Sequence, residues 1–258
     1  MKFIFTFSLF TLLSLSINAQ HWQMEGGYSL GLMQQEMKEN IPPAHSLKIG
    51  GAYQLPGKLK RVAIGAELGV GVYASKTIDQ TFNFGSTSSV VPVNYSSNVF
   101  TGNIQLRYDL ADNQKMLVPY VSAKTGVYRF YSNIYVEDPR DVLGCRALQQ
   151  ENIISDHTLY WSAGGGLKIN SGFFAKYKHR SNVLIDLGAH LTRGGSMDYI
   201  NTTRLMEVQN NTPQSKPVSV TFVNANTQEI HEHTVAQVYT SPLRMLEIKA
   251  GVIVLLGR

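Results

Sequence analysis

One cysteine, Cys145, in 258 residues excludes an internal disulfide. Its thiol is either reactive or intermolecular, or an incidental loop residue, and the incidental reading is the simpler. Charge is also scarce, with Asp, Glu, Lys and Arg making up 16% of the chain. Beyond the first twenty residues no segment carries the roughly 18 uninterrupted apolar residues that a spanning helix requires. No nucleotide, haem or nucleic-acid motif is present, so no cofactor and no nucleic-acid partner are expected. What is abundant is glycine, 22 residues of it. Scarce charge with much glycine fits a strand-rich membrane protein better than a soluble enzyme. A chain that crosses lipid without apolar helices must close its strands into a barrel, because lipid satisfies no backbone hydrogen bonds.

The chain opens with Met1-Lys2, an apolar run from Phe3 to about Ile17, and Asn18-Ala19-Gln20. A positive start, a short apolar segment and a small residue before the cut predict a secretory signal peptide over 1–19. The barrel domain is then expected over 20–258. No cysteine follows the cut, which argues against a lipid-anchored N-terminus. Removing Lys2 leaves 22 basic against 18 acidic residues, a formal charge of about +4 from the +5 of the full chain. On an exported chain whose basic residues gather at turns, this excess is not read as DNA binding.

The positive signal is alternation. From Met245 to Arg258, Leu246, Ile248, Ala250, Val252, Val254 and Leu256 share one face, and Glu247, Lys249 and Gly251 lie on the other. Such a strand has one apolar and one polar surface. The pattern recurs over about 20–34, 46–55, 60–74, 98–110, 116–131, 158–170, 182–192 and 243–256. Pro56-Gly57 and Ala111-Asp112-Asn113-Gln114 read as tight turns. Connections after the odd-numbered strands are long, about 34–45, 75–97, 132–157 and 193–242, and the others are shorter. Long external loops, short periplasmic turns and an even strand count predict an all-β, antiparallel transmembrane β-barrel, with eight strands favoured. Within the last long connection, 217–223 and 229–238 look strand-like. They are expected to form a hairpin above the membrane, with a ten-stranded barrel as the alternative.

The export signal ending in Ala-Gln, the glycine-rich alternation and the eight-strand count resemble the small outer-membrane β-barrel superfamily, the OmpA-like and OmpX-like barrels and their relatives in Bacteroidota. The resemblance covers the whole mature chain and implies residence in the bacterial outer membrane. It departs at the end, where Leu255-Leu256-Gly257-Arg258 stands in place of the terminal aromatic residue common in such barrels. No peptidoglycan-binding domain follows, so a cell-wall anchoring role is not implied.

An eight-stranded barrel has room inside only for its own side chains. The inward face is predicted to carry Glu25, Lys48, Glu67, Arg107, Asp109, Lys124, Lys168, Asp186, Glu247 and Lys249, five acids and five bases. Balanced charge in a narrow lumen points to a paired network that plugs it, with a narrow path for ions or small solutes as the alternative. Asp186 and His190 share that face, about 13 Å apart along a strand, too far for direct contact. No hydrolase motif accompanies them, so no catalytic residues are assigned and an enzyme, a lipid-modifying one, is the third reading. His231 and His233, beside Glu229 and Glu232, share a strand face and could ligate a metal, but an exposed polar hairpin accounts for them more simply and no metal site is assigned.

The short turns carry a basic and aromatic rim of Lys58, Lys60, Arg61, Phe173, Phe174, Lys176, Tyr177, Lys178 and Arg180, with Lys115, His179 and Arg258 near it. The third outer loop is acidic, with Glu137, Asp138, Asp141, Glu151 and Asp156 against Arg140 and Arg146. Such a rim suits anionic phospholipid headgroups or a docked protein. Expected partners are outer-membrane lipids, lipopolysaccharide among them, and other outer-membrane proteins. The role expected is that of a structural or accessory subunit of a larger outer-membrane complex.

Overall fold

The computed structural model describes residues 21–84, 87–112, 115–137, 147–174, 181–201, 215–223 and 230–256. The signal-peptide reading, Cys145 and residues 138–146 of the acidic third loop lie outside them.

Eight strands close the barrel: β1 (Trp22–Met33), β2 (Ala44–Gln54), β3 (Val62–Phe84), β4 (Thr87–Asp109), β5 (Leu117–Glu137), β6 (Ala147–Asn170), β7 (Val183–Ile200) and β9 (Ile230–Leu255). Each pairs antiparallel with its neighbours, and β1 pairs with β9 to remove the sheet edge. Following paired residues once around, from Arg244 through Arg193, Trp161, Thr125, Ile104, Ala66, Gly51 and Met24, returns to β9 at Val254. The offset of ten residues is the shear of the barrel, and it requires strongly tilted strands. β8 (Ser215–Val223) pairs with the outer half of β9 and takes no part in closure. The chain is therefore an eight-stranded barrel with an added hairpin, and the ten-stranded alternative is excluded.

Over the middle of every spanning strand the apolar residues face out. On β3 these are Ile64, Leu68 and Val70, on β4 Ile104 and Leu106, and on β9 Ile248, Val252 and Val254, all exposed, while Lys48, Glu67, Arg107 and Lys249 are buried within. A water-soluble protein would have the opposite arrangement. An apolar outer band around a polar lumen is the architecture of an integral outer-membrane β-barrel.

The strands are longer than the alternation predicted. β3, β4, β6 and β9 run 23, 23, 24 and 26 residues, whereas about 9–11 suffice to cross a bilayer. The excursions on the loop-rich side are long, as expected, but two of them are built largely as continued strand. Only residues 85 and 86 separate β3 from β4. Along β4 the inward residues change from Arg107, Gln105 and Asn103 to Val99, Tyr95 and Val93, all buried. The outward ones change from Leu106, Ile104 and Phe100 to Asn98, Ser96 and Asn94. The facing of the strand is constant; the medium outside it changes from lipid to water.

The first outer connection contains a short helix, α1 (Glu36–Asn40). Gln35, at φ 55°, reverses the backbone into it, and its Met37 is completely buried in the mouth of the barrel. At the opposite end, Gly57 takes φ 67° in the β2–β3 turn, a left-handed conformation suited to glycine.

Candidate functional site

The ten charged residues predicted to face inward are all buried, and their ion pairs join them into one network to which every barrel strand contributes. Glu67 sits at its centre. Its carboxylate lies 2.7 Å from Lys249 Nζ, 3.1 Å from Lys124 Nζ and 3.5 Å from Lys48 Nζ. Lys48 continues to Glu247 at 2.6 Å, and Lys124 approaches the same carboxylate at 3.7 Å. Lys249 reaches Glu25 at 3.6 Å and Asp186 at 3.7 Å. Arg107 donates to Glu25 at 2.6 Å and faces Asp109 at 3.9 Å, and Asp109 accepts from Lys168 at 2.7 Å.

Neutral side chains complete these partnerships. Gln105 donates to Glu25 at 3.0 Å, Tyr120 Oη donates to Asp186 at 2.8 Å, and Arg107 also donates to Gln23. Buried charges are tolerated only with such dense pairing. Glycine on the inward face makes the approach possible. A Cβ on Gly166 or Gly188 would lie 2.6 or 2.8 Å from Tyr120 Oη, and one on Gly69 would lie 2.5 Å from Thr101 Oγ1 and 3.2 Å from Lys48 Cγ. The space left among Glu25, Gln105, Arg107, Tyr120, Asp186 and His190 is about 10 Å³, the size of about one water molecule.

His190 does not meet Asp186, consistent with their spacing on β7. Its Nε2 instead lies 2.7 Å from Ser122 Oγ on β5. Serine and histidine in contact are two parts of a nucleophile-and-base arrangement. Here both are buried inside the wall of ion pairs, and His190 Nδ1 has no hydrogen-bond partner among the described residues, so no carboxylate there orients the ring.

Above the ionic layer is a second layer that the alternation did not reveal. Tyr73, Val99, Tyr128, Phe130, Tyr160, Met197, Tyr199, Leu243 and Met245 form an apolar cluster that also takes in Met33, Met37 and Ile41. Its rings meet edge to face, Tyr73 on Phe130 at 5.1 Å, Tyr128 on Phe130 at 5.3 Å and Tyr128 on Tyr160 at 5.9 Å. The hydroxyls find partners at the margin: Tyr73 with Ser132 at 3.1 Å and Tyr199 with Ser241 at 3.0 Å. Asn40 ties α1 across the mouth, donating to Tyr199 Oη at 3.4 Å and accepting from Asn201 at 2.7 Å. The sequence signal that could have located this layer is the tyrosine and methionine content of the inward positions beyond the apolar belt.

At the periplasmic end, Lys58, Lys60 and Arg61 are exposed around the 3-10 turn Gly57–Leu59. Lys60 reaches Asp112 of the next turn at 2.7 Å. Phe173 and Phe174 stand exposed, ring centroids 5.4 Å apart and nearly perpendicular. The rest of the expected rim (Lys176, Tyr177, Lys178 and Arg180) lies outside the described residues. His231 and His233 fall on β9 opposite Phe222 and Val220, but their side chains are likewise outside the description. Among the described residues no cluster of His, Cys, Asp and Glu could hold a metal.

No protein-family model matches the chain, and no curated protein matches it closely enough to count as a relative. Among solved structures it is similar to Neisserial surface protein A, at 11% identity over 91% of this chain and 96% of that one with a TM-score of 0.44. It is also similar to a major outer membrane protein of Thermus thermophilus, at 12% identity over 90% and 98% with a TM-score of 0.42. Ail, the attachment invasion locus protein of Yersinia pestis, matches at 9% identity over 90% and 97% with a TM-score of 0.35. No inference about function follows from likeness at this level.

Proposed function

We propose that the protein is a non-enzymatic, non-conducting outer-membrane barrel that serves as a structural or accessory subunit of a larger outer-membrane complex. The observation that carries this reading is the filling of the lumen. Ten paired charges occupy the lower half, and the aromatic and methionine cluster closed by Met37 occupies the upper half. A solute would have to break several buried ion pairs and displace packed rings, so the interior serves stability and not passage. The long outer wall supports the subunit role, because strands of 23 to 26 residues leave more than half their length outside the bilayer as a rigid surface for other proteins.

The experiment is a gentle-detergent pull-down of the tagged protein from its native membrane, with planar-bilayer recording of the folded barrel. Stoichiometric co-eluting proteins and a silent bilayer are the expected results. A lone barrel removes the subunit reading, and discrete conductance steps replace it with the narrow-channel reading. The Ser122–His190 contact is the one observation that favours an enzyme. Altered lipid acyl profiles in a deletion strain, restored by the native gene but not by Ser122→Ala, would establish that reading instead.

A further inference from the structure

On the outer surface, the lipid-facing apolar run of five strands ends in a basic residue on the loop-rich side. Leu47 gives way to His45, Val127 to Arg129, Leu159 to His157, Leu191 to Arg193 and Leu246 to Arg244. Two of these stand out by register: Arg193 and Arg244 are direct partners across the β7–β9 ladder, and the outward phase of both strands turns them to the same surface. Directly opposed side chains in an antiparallel ladder have Cβ atoms about 5 Å apart, a position where like charges repel. Neither arginine has an ion-pair partner among the described residues; Arg244 donates to the Gln35 side chain. The acidic groups nearby serve elsewhere. Asp198 accepts from Thr240 at 2.5 Å, about 13 Å farther along the strand from Arg244, and Glu36 and Glu39 of α1 do not line the groove described next.

Beside the pair, between β1, β9 and the first outer connection, is a groove of about 580 Å³. Leu32 and Leu246 form its apolar floor, Pro42 and Pro43 its wall, and Lys38 and Gln35 its upper edge. Gln35 links groove and pair, because it is the residue Arg244 binds. Leu246 is two residues from Arg244 on the same face, about 7 Å away. An apolar trough floored by Leu32 and Leu246 thus lies beside a concentrated positive charge at the outer end of the lipid-facing surface.

We infer that this surface is a seat for a phosphorylated, acylated glycolipid of the outer leaflet, the lipid A portion of lipopolysaccharide. A phosphate monoester carries between one and two negative charges near neutral pH. Placed between Arg193 and Arg244 it turns their repulsion into two charge-assisted contacts, and an acyl chain of the same molecule lies over Leu32 and Leu246. Lys38 is available to a second phosphate. The inference depends on the loop-rich end facing outward and not on the accessory-subunit reading, so a lone barrel in the pull-down would leave it intact.

The test is native mass spectrometry and detergent titration of the full-length folded protein with three probes: diphosphoryl lipid A, the same lipid with its phosphates removed, and phosphatidylglycerol. Diphosphoryl lipid A should bind best. Arg193→Gln, which breaks no side-chain hydrogen bond or ion pair among the described residues, and the double variant with Arg244→Gln should weaken it by about tenfold or more. Lys60→Gln at the other end of the barrel should leave it unchanged. Heat-modifiable gel mobility should show both arginine variants folded. Equal binding by wild type and double variant overturns the inference, and so does phosphatidylglycerol binding as tightly as lipid A.

Discussion

The lower and upper halves of the lumen fill the same cylinder with opposite chemistries. Below, Glu67 and its neighbours satisfy one another through ion pairs of 2.6 to 3.9 Å; above, Phe130 is packed by the rings of Tyr73, Tyr128 and Tyr199. The boundary follows the outer surface. Where the wall faces lipid, apolar residues belong outside and the polar ones are forced in. Where the wall faces water, the polar residues face out and the interior becomes an ordinary apolar core. One barrel is thus inside-out for half its height and conventional for the other half.

Mutations should separate the two halves by mechanism. The largest effect is expected at Glu67→Gln, which leaves Lys48, Lys124 and Lys249 around a neutral amide. An uncompensated charge in a buried network costs about 3–5 kcal/mol. The midpoint of urea unfolding in lipid vesicles, followed by gel mobility, should fall accordingly. A loss below about 1 kcal/mol would mean that water or counterions already reach this layer and that the pairing does not hold the lower half together.

Phe130→Ala tests the upper half, where no charge is involved. Phe130 is completely buried, and truncation of such a ring costs about 3 kcal/mol or more through lost burial and the cavity left behind. The same unfolding assay reads it, and Phe130→Leu should recover much of the loss by refilling the volume. If Phe130→Ala were neutral while Glu67→Gln was not, stability would reside in the ionic layer alone and the aromatic layer would be only a lid.

The lower half is legible in the sequence because period-2 alternation and an apolar belt fix which face is inside. Alternation alone puts Glu25 and Lys249 within the lumen. It does not reveal Glu67 as the hub of three lysines, since register across strands is not written in any one of them. The upper half is not legible. Above the belt, Asn98, Ser96 and Asn94 face water on one side while Val99, Tyr95 and Val93 fill the core on the other, so the contrast that marks the strands reverses sign and the segment resembles a polar loop. A bulge where β3 passes from Val72 to Ala74, and another between Arg193 and Ser196 on β7, further break the phase. Met37, buried in the mouth of the barrel, is out of reach for a different reason. It sits on a helix of five residues, too short to show helical periodicity.

The smallest effect should come from the same charges at the same distance. Lys60 and Asp112 are 2.7 Å apart, as are Lys249 and Glu67, but Lys60 is 59% exposed and Lys249 4%. In water each partner of a broken pair is solvated again, so Lys60→Met should cost about 0.5 kcal/mol or less. Raising the salt concentration should shrink even that difference, because exposed charges are screened over about 10 Å at 0.1 M, while the penalty of Glu67→Gln should hardly change. A salt-sensitive penalty at Glu67 would place solvent ions inside the barrel. The contrast between the two 2.7 Å pairs is therefore a measure of how dry the lower lumen is, and separation alone does not set the strength of either pair.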